Sequence, residues 1–320
     1  MHSARRMLRN LLLVQLSGAV LVAAALWRWA GWPLAAAVLA ACGTVVLVRA
    51  LIFSNNFVLS ASSASATPGE FRPPLAGWLR LWCEEFCASM LQTSWYGPRG
   101  MARQQVYEEG DVAVLLLHGY GCNSGYWTAL ARRLDEARIS HATLDLEPLT
   151  GDIDAYAGQV EAAVDALCAA SGAGQVAIVA HSMGGLVARA WLRKMGAARL
   201  ARLITLGSPH HGTCLANFGV GANARQMRRT RGGQASEWLC DLDAAETPAV
   251  RALITSIYTH QDNIVSPQTS SCLAGARQIA FGGIGHVALG RNRRVLDCVM
   301  AELAALRRGQ ARPLAGKLGP

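Results

Sequence analysis

Two long stretches near the start of the chain contain no charged residue. The first runs from Asn10 to Trp27 and the second from Trp29 to Val48. At about 1.5 Å per residue, a helix over either stretch is long enough to cross a hydrocarbon core about 30 Å thick. The residues between them, 28–33, include two tryptophans, a glycine and a proline, which favour a turn at a membrane interface. The sequence therefore predicts a transmembrane helical hairpin over residues 1–53.

The flanking residues leave two alternatives and predict an orientation. Arg5, Arg6 and Arg9 precede the first stretch, as basic residues precede a secretory signal peptide, but a second apolar stretch follows at once and favours retention. Two buried helices of a soluble protein are the other alternative, although charge-free stretches of this length are rare there. With Arg49 after the second stretch, the positive-inside rule places both ends in the cytoplasm.

The positive charge of the chain does not indicate a nucleic-acid partner. The formal net charge is +9, but it comes almost entirely from arginine, since Lys194 and Lys317 are the two lysines, and no nucleic-acid motif accompanies it. The densest basic cluster, within residues 225–231, fits anionic lipid headgroups or a solvated loop.

Nine cysteines without paired spacing indicate reduced thiols in a cytoplasmic domain. We expect no metal, no cofactor and no obligate protein partner.

The remainder of the chain changes from a linker to alternating strands and helices. Residues 54–100 contain a linker rich in Ser, Ala, Thr and Pro (Ser60–Pro74) and an amphipathic juxtamembrane helix (Trp78–Leu91). Residues 101–310 alternate short apolar runs with helical patterns, and residues 311–320 are predicted to be a flexible tail. The predicted strands are Val112–Leu117, Ala142–Leu146, Val176–Ala180, Leu203–Leu206, Leu253–Tyr258 and Gln278–Phe281. The predicted helices are Gly125–Ala137, Tyr156–Ala170, Gly184–Met195 and Arg293–Leu306. This order is typical of an α/β fold with a mostly parallel, doubly wound sheet and helices on both faces.

The strongest local motif is AHSMGG (residues 180–185), between a buried strand and a helix. A serine nucleophile on a sharp strand-to-helix turn needs small neighbours two residues before and after it. Ala180 and Gly184 satisfy this requirement around Ser182, although glycine is the usual residue in the first place. The backbone N–H of Met183 lies at the helix N-terminus, where the dipole favours a developing oxyanion. Without catalysis, the same residues would form a tightly packed strand–helix junction.

A second glycine-containing loop, HGYG (residues 118–121), follows the strand that begins at Val112. The backbone N–H of Tyr120 is the natural second donor of an oxyanion hole. His118 is expected to hold this loop in place, although a role as a base stays open at this point.

An activated serine needs a base and an orienting acid, and in this fold class they follow it in the order Ser, Asp, His. Asp262 comes after the strand Leu253–Tyr258, and His286 lies in a glycine-rich loop after the strand that ends at Phe281. Competing acids and bases lie elsewhere in the chain: Asp241, Asp243, His210, His211 and His260. The ordered combination makes Ser182, Asp262 and His286 the candidate catalytic triad.

Over residues 110–300, these motifs resemble the α/β-hydrolase superfamily, specifically bacterial triacylglycerol lipases and related esterases. The segments that carry the resemblance are HGYG, AHSMGG, GSPHHGT, DNIV and GIGHV. The resemblance implies an α/β-hydrolase fold, with Ser182 as nucleophile, Asp262 as acid and His286 as base. It also implies an oxyanion hole lined by Tyr120 and Met183.

The same resemblance predicts a carboxylic-ester hydrolase that forms an acyl-enzyme and acts on lipid-like esters. The alternatives are an acyltransferase with the same triad and a catalytically silent, membrane-tethered binding protein. Many secreted lipases of this group bind calcium through an aspartate two residues after the histidine, where this chain has Ala288, so no calcium is expected. The segment Cys214–Val250 falls where the family places a lid.

The expected location is a bacterial inner membrane, with two spans and the catalytic domain on the cytoplasmic side.

Overall fold

A computed structural model describes residues 3–107 and 112–307 of this 320-residue chain. The flexible tail predicted for residues 311–320 lies outside the described residues. The strands are β1 Gln104–Gln105, β2 Val112–Leu117, β3 His141–Leu144, β4 Gln175–His181, β5 Leu200–Leu206, β6 Ile254–Thr259 and β7 Arg277–Phe281. The helices are α1 Ala4–Arg28, α2 Leu34–Ala61, α3 Leu75–Leu91, α4 Gly97–Arg99, α5 Thr128–Glu136, α6 Ala157–Ser171, α7 Met183–Met195, α8 Ala222–Gln226, α9 Glu237–Ala244, α10 Pro248–Arg251 and α11 Arg293–Arg307.

The seven strands form one sheet in the order β1-β3-β2-β4-β5-β6-β7. All neighbouring strands from β3 to β7 are parallel, and β1 pairs with β3 in the antiparallel direction. The fold class predicted from the sequence is confirmed, although the two-residue edge strand β1 was not predicted. Because parallel strands end at the same edge of the sheet, the loops after β2, β4, β6 and β7 meet there.

The strands are apolar on both faces because each face of the sheet is covered by helices. In β2, Leu115 and Leu117 pack into a cluster with α6 and α7, whereas Val114 and Leu116 pack into a second cluster with α5 and α11. The continuous apolar run of Val112–Leu117 is therefore the pattern of a strand buried on both sides. Packing on both faces holds the ends of the strands in place, and with them the loops that follow.

The N-terminal helices α1 and α2 lie side by side and are joined by a short turn. They are 25 and 28 residues long, with mean hydropathies of 1.9 and 2.3 over their most apolar windows. In those windows 0% and 17% of the residues are buried, unlike a helix in the core of a soluble protein. Length, composition and exposure are all compatible with the predicted membrane hairpin.

Helix α3 is fixed to α2 by a cluster of aromatic side chains. The ring of Phe53 lies 5.8 Å from that of Trp82 and 5.4 Å from that of Phe86, both in edge-on arrangements. The indole N–H of Trp82 also donates to Ser54 Oγ at 3.0 Å. The predicted helix Trp78–Leu91 therefore exists, begins at Leu75 and packs on the hairpin.

The segment Ser60–Pro74, predicted as a linker, instead lies against the rest of the molecule. Ser266 Oγ donates to the carbonyl oxygen of Ser60 at 2.7 Å, and the backbone N–H of Ser65 donates to Gln268 Oε1 at 3.0 Å. Its serines and alanines are typical of a linker, but their partners lie some 200 residues away and cannot be recognised from composition. The segment is thus fastened to the loop after β6.

Candidate active site

Ser182 lies on the turn between β4 and α7 in a strained backbone conformation. Its φ is +55° and its ψ is −124°. Within the described ranges, Arg138 is the one other non-glycine residue with positive φ. The turn is held by hydrogen bonds from Ser182 N to Leu206 O at 2.9 Å and from Gly185 N to Ser182 O at 3.0 Å. Strain of this kind persists where the surrounding structure fixes it, and it is concentrated at functional sites.

Close packing around this turn explains its small residues. A Cβ atom on Gly184 would lie 2.6 Å from the carbonyl oxygen of Leu117 and 2.7 Å from that of His118. A Cβ atom on Gly119 would lie 2.9 Å from the Cβ atom of Ser182. Ala180 is fully buried in β4, so its methyl group is accommodated and the departure from glycine leaves the turn intact.

Asp262 and His286 lie together at the ends of the loops that follow β6 and β7. His286 Nδ1 donates to Asp262 Oδ2 at 2.8 Å. The other carboxylate oxygen accepts the backbone N–H groups of Ile264 at 2.8 Å and Val265 at 2.7 Å. Burial lowers the pKa of His286, but the charge and hydrogen bond of Asp262 raise it, and the net pKa is above the ordinary histidine value. The arrangement can hold an imidazole in one orientation and stabilise its protonated form.

The loop that carries Asp262, the predicted acid, and the loop that carries His286, the predicted base, are also cross-linked by side chains. Asn263 Oδ1 accepts the backbone N–H of His286 at 3.1 Å, and Gln261 Oε1 accepts that of Gly283 at 2.7 Å. Thr259 Oγ1 donates to the carbonyl oxygen of Ile284 at 2.8 Å. The two loops therefore form one unit around the Asp262–His286 pair.

His181 connects the serine turn to the base loop. Its Nε2 donates to the backbone carbonyl of His286 at 3.2 Å, and the two rings lie 4.6 Å apart. Burial, followed by the charge of His286, lowers the pKa of His181 well below the ordinary value, so its ring is neutral. The structure describes both Ser182 and His286 and gives no hydrogen bond between the serine hydroxyl and the imidazole. Such contacts are often long in ligand-free sites and shorten when substrate binds.

Two backbone N–H groups near Ser182 are available to a ligand. Among the described residues, neither Tyr120 N nor Met183 N donates a hydrogen bond, and Met183 is the first residue of α7. His118 has both ring nitrogens occupied, because Nε2 accepts from Leu146 N at 2.9 Å and Nδ1 donates to Gly119 O at 2.9 Å. These bonds fit its predicted role of holding the loop.

The competing residues named from the sequence have other contacts. Asp243 pairs with Arg189 and Arg251, and His210 bonds to Thr205, while the ring of His260 lies 4.6 Å from that of Phe71. Asp241 is exposed on α9, and His211 donates its backbone N–H to Ser270. Within the described residues, none of these five side chains bonds to Ser182, Asp262 or His286.

A mostly apolar cavity of about 250 Å³ opens at Ser182. One wall comes from the predicted lid segment, through Leu215, Phe218 and Met227, and another comes from Asn56 and Leu59 at the end of α2. The predicted lid segment is fastened to the loop of residues 118–121, because the hydroxyl of Tyr120 donates to the carbonyl oxygen of Val220 at 2.9 Å. The contribution of α2 to this cavity was not foreseen from the sequence.

Glu85 is a further residue at the site that the motifs did not reveal. Its side chain, in α3, is fully buried and accepts the backbone N–H groups of Val287 and Ala288, each at 2.7 Å. A sequence signal existed, because Glu85 shares the buried face of its helix with Leu81 and Ala88. A carboxylate among apolar residues at helical spacing has to find a partner.

Among residues 3–107 and 112–307, no group of three or more His, Cys, Asp or Glu side chains is arranged so that it could hold a metal ion. At the position where related secreted lipases have a calcium-binding aspartate, Ala288 is buried and its N–H is bound to Glu85. The expectation that the chain needs no metal stays a prediction.

Comparison with known proteins gives a family for this geometry. A profile of the alpha/beta hydrolase family matches residues 114–307, which is more than half of the chain. The chain belongs to the alpha/beta hydrolase family. Comparison with curated protein sequences gave no significant match. The resemblance of the sequence motifs to alpha/beta hydrolases is therefore confirmed.

Two solved lipase structures share the fold at low identity. Bacillus licheniformis lipase BlEst2 in its mature form is similar with a TM-score of 0.55 and 16% identity, over 63% of this chain and 97% of that chain. Aspergillus fumigatus lipase B is similar with a TM-score of 0.50 and 19% identity, over 61% of this chain and 52% of that chain. At these identities the likeness concerns the fold.

The packing around the serine turn yields a test of stability. We expect Gly184→Ala to lower the free energy of unfolding by about 1–3 kcal/mol, because the added methyl group overlaps backbone oxygens of the β2 loop. The matched control is Gly158→Ala in α6, where a Cβ atom meets nothing within 4 Å. That change should raise stability by about 0.5–1 kcal/mol. Urea unfolding of the detergent-solubilised protein measures both, and equal effects would contradict the packing argument.

Proposed function

We propose that the protein is a serine hydrolase that cleaves carboxylic esters through an acyl-enzyme, with Ser182, Asp262 and His286 as its triad. The observation that supports this most strongly is the 2.8 Å hydrogen bond between His286 Nδ1 and Asp262 Oδ2, beside a serine with positive φ at the mouth of a cavity. Family membership supports hydrolysis in general, and these three side chains supply the nucleophile, the base and the acid.

The proposed reaction has two stages. Ser182 Oγ attacks the ester carbonyl carbon while His286 Nε2 takes the hydroxyl proton, and the imidazolium then gives this proton to the departing alcohol. In the second stage His286 takes a proton from water, the hydroxide attacks the acyl carbon, and the acid leaves as Ser182 regains its proton. The N–H groups of Tyr120 and Met183 bind the oxyanion in both stages, and one such donor is worth about 3–4 kcal/mol.

We further propose that the substrate is a lipid-like ester taken from a membrane. Helix α2 has 28 residues and is about 42 Å long at 1.5 Å per residue, which exceeds a hydrocarbon core of about 30 Å. Its last turns carry Asn56 and Leu59 to the wall of the Ser182 cavity. Phe218 and Val220, in the lid segment beside the cavity, are 69% and 67% exposed. An apolar mouth next to a helix of this kind is suited to an acyl chain that leaves a bilayer.

The location proposed for the protein is a bacterial inner membrane, with the hairpin spanning it and the catalytic domain in the cytoplasm. Exposed apolar side chains along α1 and α2 support insertion. Arg5, Arg6 and Arg9, before the first charge-free stretch, and Arg49, after the second, support the orientation. The unpaired state of the cysteines agrees with a reducing compartment.

The triad is tested by labelling with a fluorescent fluorophosphonate, which reacts with activated serines. We expect strong labelling of the wild type, none of Ser182→Ala, and labelling that is about 10⁴-fold slower in Asp262→Asn, the loss measured for that change in a serine protease. Ser171→Ala, at the end of α6, and Asp241→Asn, the exposed competing acid, are matched controls that should keep wild-type labelling. Labelling of Ser182→Ala at the wild-type rate would show that another residue is the nucleophile.

The lipid-like substrate is tested with Phe218→Asp. We expect this change to lower kcat/KM for a long-chain ester in vesicles by roughly 10- to 100-fold, because an acyl chain that covers the phenyl ring would lose a contact of about 1.5–3 kcal/mol. Hydrolysis of a water-soluble acetyl ester should stay within about two-fold of wild type, because an acetyl group bound at Ser182 is too short to contact Phe218. Met195→Asp, which changes an exposed methionine on α7, is the control and should affect neither substrate. Equal losses on both esters would argue against an acyl-chain role for the mouth.

The location is tested by labelling single-cysteine variants in spheroplasts with a membrane-impermeant maleimide. A chain that keeps only Cys240, which is exposed in the catalytic domain, should be labelled only after the membrane is permeabilised. A cysteine-free chain with Trp29→Cys in the hairpin turn should be labelled in intact spheroplasts. The reverse pattern would contradict the orientation, and full-length protein lost from the membrane in alkaline carbonate would contradict the anchor.

A further inference from the structure

The carboxylate of Glu85 is bound to the loop that carries the proposed base. Its Oε1 accepts the N–H of Val287 and its Oε2 accepts the N–H of Ala288, both at 2.7 Å. These are the two residues that directly follow His286. Charge-assisted bonds of this length are stronger than bonds between neutral groups. Both oxygens of one side chain therefore fix the backbone immediately beyond the imidazole.

The residue before His286 is also shaped around this carboxylate. A Cβ atom on Gly285 would lie 2.5 Å from Glu85 Cδ and 2.6 Å from Glu85 Oε2. Glycine at this position lets the side chain of α3 approach the loop closely. The backbone from 285 to 288 thus wraps around one carboxylate.

Fold stability alone does not account for a charge at this place. Glu85 is fully buried, and among the described residues no lysine, arginine or histidine forms an ion pair with it. Burying a carboxylate without a basic partner is costly, and an apolar side chain would avoid that cost. A feature that costs stability and touches the base loop indicates a function.

Helix α3 links this loop to the N-terminal hairpin. The aromatic cluster of Phe53, Trp82 and Phe86 fixes α3 to α2, and Glu85 projects from the same helix to the base loop. The hairpin, α3 and the loop of His286 therefore form one continuous set of contacts.

We propose that Glu85 is a positioning residue for His286: its ionised carboxylate fixes the backbone of the base loop so that the imidazole is held in place for Ser182. This inference rests on the proposed function, because it assigns Glu85 a task in the same reaction. Glu85 does not touch the reacting atoms and acts through the loop.

The electrostatic surroundings of Glu85 give the proposal a pH signature. Burial raises the pKa of Glu85 to about 7, against the opposing effects of its two backbone hydrogen bonds and the charge of His286. Two other titratable groups lie around it. The charge of Asp262 also raises the pKa of Glu85, and the charge of Glu85 contributes to the raised pKa of Tyr126. A protonated carboxyl carries hydrogen on one oxygen, which makes that oxygen a weaker acceptor, so one of the two bonds to the loop is weakened. Full activity then requires that His286 and Glu85 are both deprotonated. As the pH falls, each group takes up a proton and the activity is lost.

The experiment compares full-length wild type, Glu85→Gln and Glu84→Gln in detergent, from about pH 5 to about pH 9. It measures the rate constant of fluorophosphonate labelling, together with kcat and KM for a water-soluble ester. Glu84→Gln is a matched control: it removes the same charge one residue away, from a side chain that accepts Asn292 Nδ2 at 2.6 Å beside the start of α11 and does not bond to residues 285–288 around His286.

We expect Glu85→Gln to lower kcat and the labelling rate by about 10- to 100-fold at alkaline pH, since a shift of about 1 Å in a catalytic group has costs of this order. KM should stay within about two-fold, because the cavity walls are unchanged. The acid limb of the wild-type profile should require two deprotonations, and that of Glu85→Gln should require one. Glu84→Gln should keep the wild-type rate and the wild-type profile.

Other outcomes separate this inference from the proposed function. Wild-type labelling with an unchanged rate and acid limb in Glu85→Gln would overturn the positioning role and leave the triad intact. A wild type that is not labelled, or a Ser182→Ala variant that is labelled equally, would overturn both. If Glu85→Gln does not fold, as judged by circular dichroism, Glu85→Asp decides, because it keeps the charge but shortens the reach to the loop. A wild-type labelling rate in that variant contradicts the proposal.

Discussion

The hydrogen bond from His286 to Asp262 depends on the state of the Asp262 carboxylate, which is buried but accepts hydrogen bonds on both of its oxygens. Asp262 Oδ1 accepts two backbone N–H groups of its own loop, which leaves Oδ2 for the imidazole. A buried carboxylate with fewer donors would be costly and would tend to take up a proton. The loop after β6 therefore has to turn sharply at Ile264 and Val265. Its cross-links to the loop after β7 then fix where the imidazole lies. Much of the site's geometry follows from this one requirement.

The strained backbone at Ser182 is a second constraint, and the packing of the sheet holds this turn in place. A residue such as Ser182 in a sparsely populated backbone region costs of order 1–3 kcal/mol, which the packing of neighbouring elements has to offset. Strand β4 lies in the middle of the sheet between β2 and β5, and its apolar residues are buried on both faces. The chain can therefore turn directly from a rigid strand into α7. The glycines at 119, 184 and 185 are needed because the β2 loop and Ser208 approach this turn so closely.

The sequence predicted the fold class because βα units have a local pattern, and strand β2 and helix α7 were recognisable within a few residues. It also named Ser182, Asp262 and His286 as candidates, since each follows a strand, although their roles stay predictions. It did not predict β1, whose two residues, Gln104 and Gln105, carry no apolar pattern. It also missed Glu85 and the contacts of Ser60 and Ser65, because each partner lies about 200 residues away in the chain. Local periodicity cannot identify such pairs.

These distant contacts change how the N-terminal region relates to the rest of the molecule. Ser60 and Ser65 bind the loop after β6, which carries Asp262, and Glu85 binds the loop after β7, which carries His286. The same region supplies Asn56 and Leu59 to the cavity at Ser182. A simple tether would need none of these contacts, because a tether has only to span a distance. Residues 56–85 instead contact the loop of Asp262 and the loop of His286, and they form part of the cavity wall. The position of the site relative to α2 is therefore fixed by the same interactions that hold its loops, so a helix that enters a bilayer would also set the distance of Ser182 from the lipid.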